Sequence, residues 1–126
     1  MAITSGLSLK EKKKLFEVCS LIRLTELEIS RRYTENKMRC PVHLSVGQEG
    51  VPAALSLFLK KKDFVVSTHR SHAHYICKGG SIKKMIAELH GKSTGCSGGK
   101  GGSMHLVDKN NGFMGSSSIV GNSIPI

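Results

Sequence analysis

The sequence predicts an α/β fold, rich in helix with short parallel strands, on three observations. Asp63-Phe64-Val65-Val66-Ser67 is a short β-branched run between polar residues and reads as a strand. Apolar residues recur at helical spacing on both sides of it. Directly after it stands Thr68-His69-Arg70-Ser71-His72-Ala73-His74, at the position where α/β sheets present ligand-binding loops. With 126 residues the chain is one domain or a piece of one.

The first helix opens at Ser8-Leu9-Lys10-Glu11, a capping box in which hydroxyl and carboxylate each satisfy the other residue's backbone N–H. Leu15, Val18, Ile22, Ile29 and Tyr33 follow on one face, so the helix is expected over about residues 9–36, with Asn36 able to end it. Glu26 interrupts the stripe and needs a partner if buried. Pro41 breaks the pattern and pushes Cys40 toward extended geometry, and His43-Leu44-Ser45-Val46 reads as a short extended piece.

Gly47-Gln48-Glu49-Gly50 opens a second helix, with Pro52 tolerated in its first turn. Its run from Val51 to Leu59 is apolar nearly all round, which implies burial. Lys60-Lys61-Lys62 suits a helix C-terminus. After the strand, a helix over Ala73–Lys78 closes at Gly79-Gly80. Ser81 then caps another with Ile82, Met85, Ile86 and Leu89 on its apolar face. Gly91 ends that helix.

Between Gly91 and Gly102, six of twelve residues are glycine, interleaved with Lys92, Lys100 and three hydroxyls. Such a loop is either a flexible linker or a concavity of backbone N–H groups for an anion, with phosphate the natural guest. Its spacing fits neither the Walker nor the dinucleotide pattern. Ser103 is no nucleophile elbow, because Gly101-Gly102-Ser103-Met104-His105 lacks the second glycine of GxSxG. Apolar sequence runs on to Ile126 without a polar tail, so the chain is expected to be incomplete.

The formal net charge is +10, spread as nine basic and five acidic residues over 1–40, then ten and four over 41–126. Neither lysine run carries interleaved aromatics that would stack bases, so nucleic acid is not the expected partner. A phosphate-bearing cofactor or an acidic subunit accounts for the sign equally well. Cys19, Cys40, Cys77 and Cys96 form no CxxC pair and read as reduced cysteines of a cytoplasmic protein. No apolar run approaches the ~20 residues of a membrane span.

His69-Arg70-x-His72-x-His74 is the densest chemical cluster. It reads as an anion clamp, with Arg70 offering a bidentate fork and the imidazoles further donors. Two alternatives stay open: a metal pair on one extended face, lacking a local third ligand, or solvent-facing histidines at a helix start. His43 and His105 are lone histidines, as often satisfied in a core as catalytic.

Five segments occur in a telling order: His43-Leu44-Ser45-Val46-Gly47-Gln48-Glu49; Ser67-Thr68-His69-Arg70-x-His72-x-His74; Ala87-Glu88-Leu89-His90-Gly91-Lys92; Gly98-x-Lys100-Gly101-Gly102-Ser103-Met104-His105; and Ile119-Val120-Gly121-x-x-Ile124-Pro125. Together they resemble the N-terminal part of the α subunit of thiamine diphosphate-dependent 2-oxo acid dehydrogenases, the E1 component. The His-Arg form of the second segment resembles the pyruvate and acetoin branch most. The resemblance covers residues from about 15 to the end.

The resemblance implies the N-terminal portion of a thiamine diphosphate-binding fold, with residues 1–40 as an N-terminal helical extension and 41–126 as an incomplete cofactor-binding domain. It implies thiamine diphosphate and Mg²⁺ as cofactors. His69 and Arg70 would hold the diphosphate, and Ser118 and Val120 would line the aminopyrimidine pocket through backbone groups, Ser118 replacing a glycine of the family. His43 would lie over the thiazolium and face the substrate as the catalytic group. His72, His105 and Asp108 are supporting positions. No metal ligand is expected here, because the family's Gly-Asp-Gly motif would follow Ile126. The implied partners are an E1 β subunit, which supplies the activating glutamate, a lipoyl-bearing E2, and a small 2-oxo acid or acetoin. The implied reaction is oxidative decarboxylation or acetoin cleavage with acyl transfer to lipoyl groups. The alternative is a catalytically incomplete fragment or split-gene remnant without independent activity.

Overall fold

A computed structural model describes residues 6–121. The chain folds into helix α1 (Leu9–Tyr33), α2 (Gly50–Leu55), strand β1 (Val65–Ser67), α3 (His72–Cys77), α4 (Ile82–Leu89), and strand β2 (Phe113–Ser116). Short 3₁₀ turns at Gly102–Met104 and Lys109–Asn111 lie between α4 and β2.

The capping box forms as the sequence predicts: Glu11 N–H donates to Ser8 Oγ at 3.3 Å and Ser8 N–H to Glu11 Oε2 at 2.8 Å. From that start α1 runs 25 residues and stops three short of expectation. Asn36, at φ 55°, turns the chain left-handed after the last helical turn. The face of α1 turned inward is narrow, burying only Ile22, Glu26 and Ile29. Phe16 and Leu24 on its other faces stay exposed.

Helix α2 departs from its reading. It is six residues long and buries only Pro52 and Ala53, while Val51 and Phe58 stand 67% and 72% exposed. So short a helix presents one face to α1 and α3, and no described residue covers the other. The lysine run lies beyond the helix rather than at its end. Its backbone matters instead: the carbonyls of Lys60 and Lys61 accept from the buried Lys78 Nζ at 2.8 and 3.2 Å.

Strand β1 starts two residues later than expected and pairs in parallel with β2, Val65 opposite Phe113 and Ser67 opposite Ser116. The crossover between them carries α3, α4 and the glycine loop. Tyr75 and Phe113 meet edge to face, ring centroids 5.5 Å apart, and tie α3 to β2. Around them Ile22, Ile29, Ile76, Met85, Leu89 and Leu106 complete the core, so α1 packs into the same core as the sheet. No helix among the described residues is long and apolar enough to cross a membrane.

The glycine loop is ordered around an anion, but not a phosphate. The Glu88 carboxylate, buried at the end of α4, accepts from Ser97 and Gly99 N–H through Oε2 (2.7 and 2.9 Å) and from Gly101 and Gly102 N–H through Oε1 (2.7 and 3.2 Å). Burial pushes this carboxyl up, and the four amides more than reverse it, leaving it below its ordinary range. The expected external guest is therefore replaced by the chain's own side chain, and the linker reading is excluded too.

Candidate functional site

Parallel sheets open their binding crevices at the carboxyl ends of the strands. Here the two strand exits run side by side, Ser117 N–H donating to Ser67 O at 3.1 Å. One exit leads into His69 and Arg70, the other into Ser118.

The irregular segment 41–45 lies against the first exit. Arg70 Nη1 donates to Leu44 O at 2.5 Å, joining that segment to the end of β1. The rings of His43 and His69 meet edge to face with centroids 5.3 Å apart. Two residues separated by 26 positions in sequence thus come into ring contact. His43 Nδ1, His69 Nδ1 and Ser45 Oγ are buried without a hydrogen-bond partner. An unpaired buried polar atom costs about 1–3 kcal/mol, and three of them on two neighbouring segments mark a place that a polar ligand can satisfy. Arg70 spends one donor on Leu44, and its guanidinium has others to offer.

Ser118 and Val120 follow the second exit and are exposed. The Ser118 hydroxyl forms no hydrogen bond among the described residues, and neither residue is brought against His43 or His69 by any such bond. The Ile124-Pro125 end of the last motif lies outside the described residues.

The histidine cluster does not converge as the anion-clamp reading requires. Helix α3 begins at His72, so positions 72 and 74 lie about 200° apart around its axis rather than on one extended face. His72 is fully buried, with Nδ1 at 3.0 and 3.3 Å from the Glu26 carboxylate and Nε2 at 2.9 Å from Ser103 Oγ. His74 turns the other way and meets Ser67 Oγ at 3.1 Å; burial pushes its pKa down. The alternating-face metal pair fails for the same reason. No group of three His, Cys, Asp or Glu able to hold a metal ion occurs among the described residues.

His105 is exposed, its Nδ1 3.2 Å from Ser116 O. Asp108 serves a turn: Oδ2 accepts from Asn111 Nδ2 at 2.9 Å while its backbone bridges Phe113. Two features escaped sequence reasoning. Ser45 gave no signal beyond alternating with His43. The partner of Glu26 is His72, and the unpaired carboxylate in an apolar stripe was the clue that a cation or imidazole had to meet it.

The family model described as "Dehydrogenase E1 component" matches residues 17–126. The chain is 43% identical over 117 residues to the pyruvate dehydrogenase E1 component subunit alpha of Rickettsia prowazekii (strain Madrid E), covering 93% of this chain and 36% of that protein. It is 37% identical over 116 residues to the mitochondrial pyruvate dehydrogenase E1 component subunit alpha of Pisum sativum, covering 92% and 29%. To the chloroplastic alpha-3 subunit of Oryza sativa subsp. japonica it is 38% identical over 125 residues, 99% of this chain and 29% of that one. The chain spans about a third of the length of these relatives.

Proposed function

The chain belongs to the dehydrogenase E1 component family, and we propose that it serves as an E1 α-type component of a thiamine diphosphate-dependent dehydrogenase acting on pyruvate, a related 2-oxo acid or acetoin. On this reading its fold is part of a thiamine diphosphate-binding domain, residues 41–126, preceded by the helical extension 1–40. It works with an E1 β subunit, and the acyl group passes to a lipoyl-bearing E2. The exposed Phe16, Leu24, Phe58 and Phe64 support association with further protein surface.

The observation that carries the reading is the His43–His69 pair, with its unpaired ring nitrogens, joined by Arg70 at the exit of β1. His69 and Arg70 bind the diphosphate: Arg70 is anchored through Leu44 O and presents its free N–H groups to phosphate oxygens. Bound thiamine diphosphate supplies the nucleophilic carbon and the electron sink. His43 presents a proton toward the substrate carbonyl, where negative charge grows on oxygen. The backbone at Ser118 and Val120 flanks the aminopyrimidine. The ligands of Mg²⁺ are proposed to lie outside residues 1–126.

Isothermal titration with thiamine diphosphate and Mg²⁺, with and without a β-type subunit, tests this. Binding that requires the partner, and that Arg70→Ala abolishes, is the expected result. No binding in either case would overturn the cofactor role and leave a chain that at most associates with a β subunit.

A further inference from the structure

Glu26 is fully buried in the middle of α1, where an unpartnered carboxylate would be costly. Its carboxylate can only accept, so His72 Nδ1 carries a hydrogen toward it across 3.0 Å. The other ring nitrogen, Nε2, lies 2.9 Å from Ser103 Oγ. Ser103 Oγ in turn accepts the backbone N–H of His43 at 3.3 Å. The hydroxyl hydrogen is then free to point at Nε2, and every polar atom in the chain of four groups has its role.

Carboxylate, imidazole and serine stand in the order used by serine hydrolases. Hydrolysis is excluded by burial: Glu26 and His72 are 0% exposed and Ser103 1%, so no substrate reaches the hydroxyl. That hydroxyl is also engaged with a backbone amide rather than held open for attack. What the series reaches is the segment carrying His43. Residues 41–45 have no strand or helix of their own. Their polar ties are the His43 N–H to Ser103, the Leu44 carbonyl to Arg70 and the Ser45 carbonyl, which accepts Gln48 N–H at 2.9 Å, besides the packing of Val42 and Leu44 on the core. Ser103 is itself held from two further sides, its N–H donating to Cys40 Sγ at 3.3 Å and its carbonyl accepting from Ser71 Oγ at 3.3 Å.

We propose that Glu26, His72 and Ser103 form a buried positioning relay that fixes the His43 backbone and so sets its ring against His69. None of the three touches substrate. They act through His43, and the catalytic meaning of that placement rests on the function proposed above. The buried carboxylate orients the imidazole, the imidazole orients the hydroxyl, and the hydroxyl presents a lone pair to one amide.

The test is made on the 126-residue chain by NMR. In the wild type, long-range ¹⁵N–¹H correlation should show His72 protonated on Nδ1 with Nε2 accepting. Protonation on Nε2 alone would overturn the relay, and this measurement needs no variant. In Ser103→Ala the His43 amide should exchange with solvent about fivefold to tenfold faster, the loss expected for one hydrogen bond. The ring signals of His43 and His69 should shift together, and Ser103→Thr should restore both. Unchanged His43 exchange and ring signals in a folded Ser103→Ala chain would overturn the proposal. Should the wild type show these signatures yet bind no thiamine diphosphate with a β-type subunit, the cofactor reading falls and the relay stands.

Discussion

Replacing Glu88 by glutamine isolates what holds the glycine loop. The side chain keeps its shape, but only one of its two terminal atoms remains an acceptor. The carboxylate now accepts four N–H groups, two on each oxygen. Glutamine keeps one pair and points its own NH₂ at the other. Hydrogen bonds to a charged group contribute about 1.5–3 kcal/mol each, so losing two costs about 3–6 kcal/mol, partly offset by the easier desolvation of a neutral amide. Against a typical domain stability of about 5–15 kcal/mol this is large. Urea unfolding should show the midpoint falling with little change in slope. Trypsin should cut sooner at the exposed Lys92, ahead of the cage, and Lys100, within it. The pH dependence has a definite sign. Because the folded carboxyl lies below its ordinary range, the folded chain binds fewer protons than the unfolded one at mildly acidic pH. The stabilisation is therefore complete above the unfolded value, is lost as pH falls through the folded one, and is missing from the acid limb of Glu88→Gln. A loss below about 1 kcal/mol with the lysines still protected would refute the cage.

Two further outcomes follow from single contacts. Arg23 grips the buried Glu49 through both carboxylate oxygens, at 2.5 and 2.9 Å, and holds that carboxyl at about 2. Arg23→Ala should therefore destabilise most above the ordinary carboxyl range of about 4.3, and the difference from wild type should close as pH falls toward about 2. Urea midpoints across that range check it, and a constant offset would refute the linkage. Gly99 sits at φ +77°, with an added Cβ 2.6 Å from Lys92 O. Gly99→Ala should cost at least about 2 kcal/mol from backbone strain and collision together, read as a lower denaturation midpoint, whereas a neutral effect would mean the loop re-forms freely.

What the sequence made legible was local. The capping box joins residues three apart, and the end of α1 near Asn36 needs only one residue tolerant of positive φ. β1 announces itself by paired valines. β2, Phe113-Met114-Gly115-Ser116, has no β-branched residue and follows a glycine turn, so nothing in its own composition marks a strand; its pairing with β1 across 48 positions creates it. The burial forecast for α2 failed because an all-apolar segment reports that its faces will be covered, not that this chain covers them.

The site divides along the same line. His69 and Arg70 follow a strand, and that placement alone marks them as candidates. His72 and His74 belong to the same motif, yet one residue of helix onset sends them to opposite sides, so motif membership did not predict a shared site. The glycine loop shows the converse. Its composition allowed an anion's cradle as well as a linker and pointed to phosphate, while Glu88 sat three residues beyond Met85 on the inner side of α4, within reach of the loop and unread as its guest. Glu26 behaves alike: the unpaired carboxylate was visible, but its partner lies 46 positions away and the serine beyond that a further 31. A buried charge states in sequence that a partner exists; only the packing of α1 against α3 says which one. The groups placed around His43 and the glycine loop are thus the ones whose chemistry could be foretold and whose addresses could not, because each address is a tertiary contact rather than a spacing.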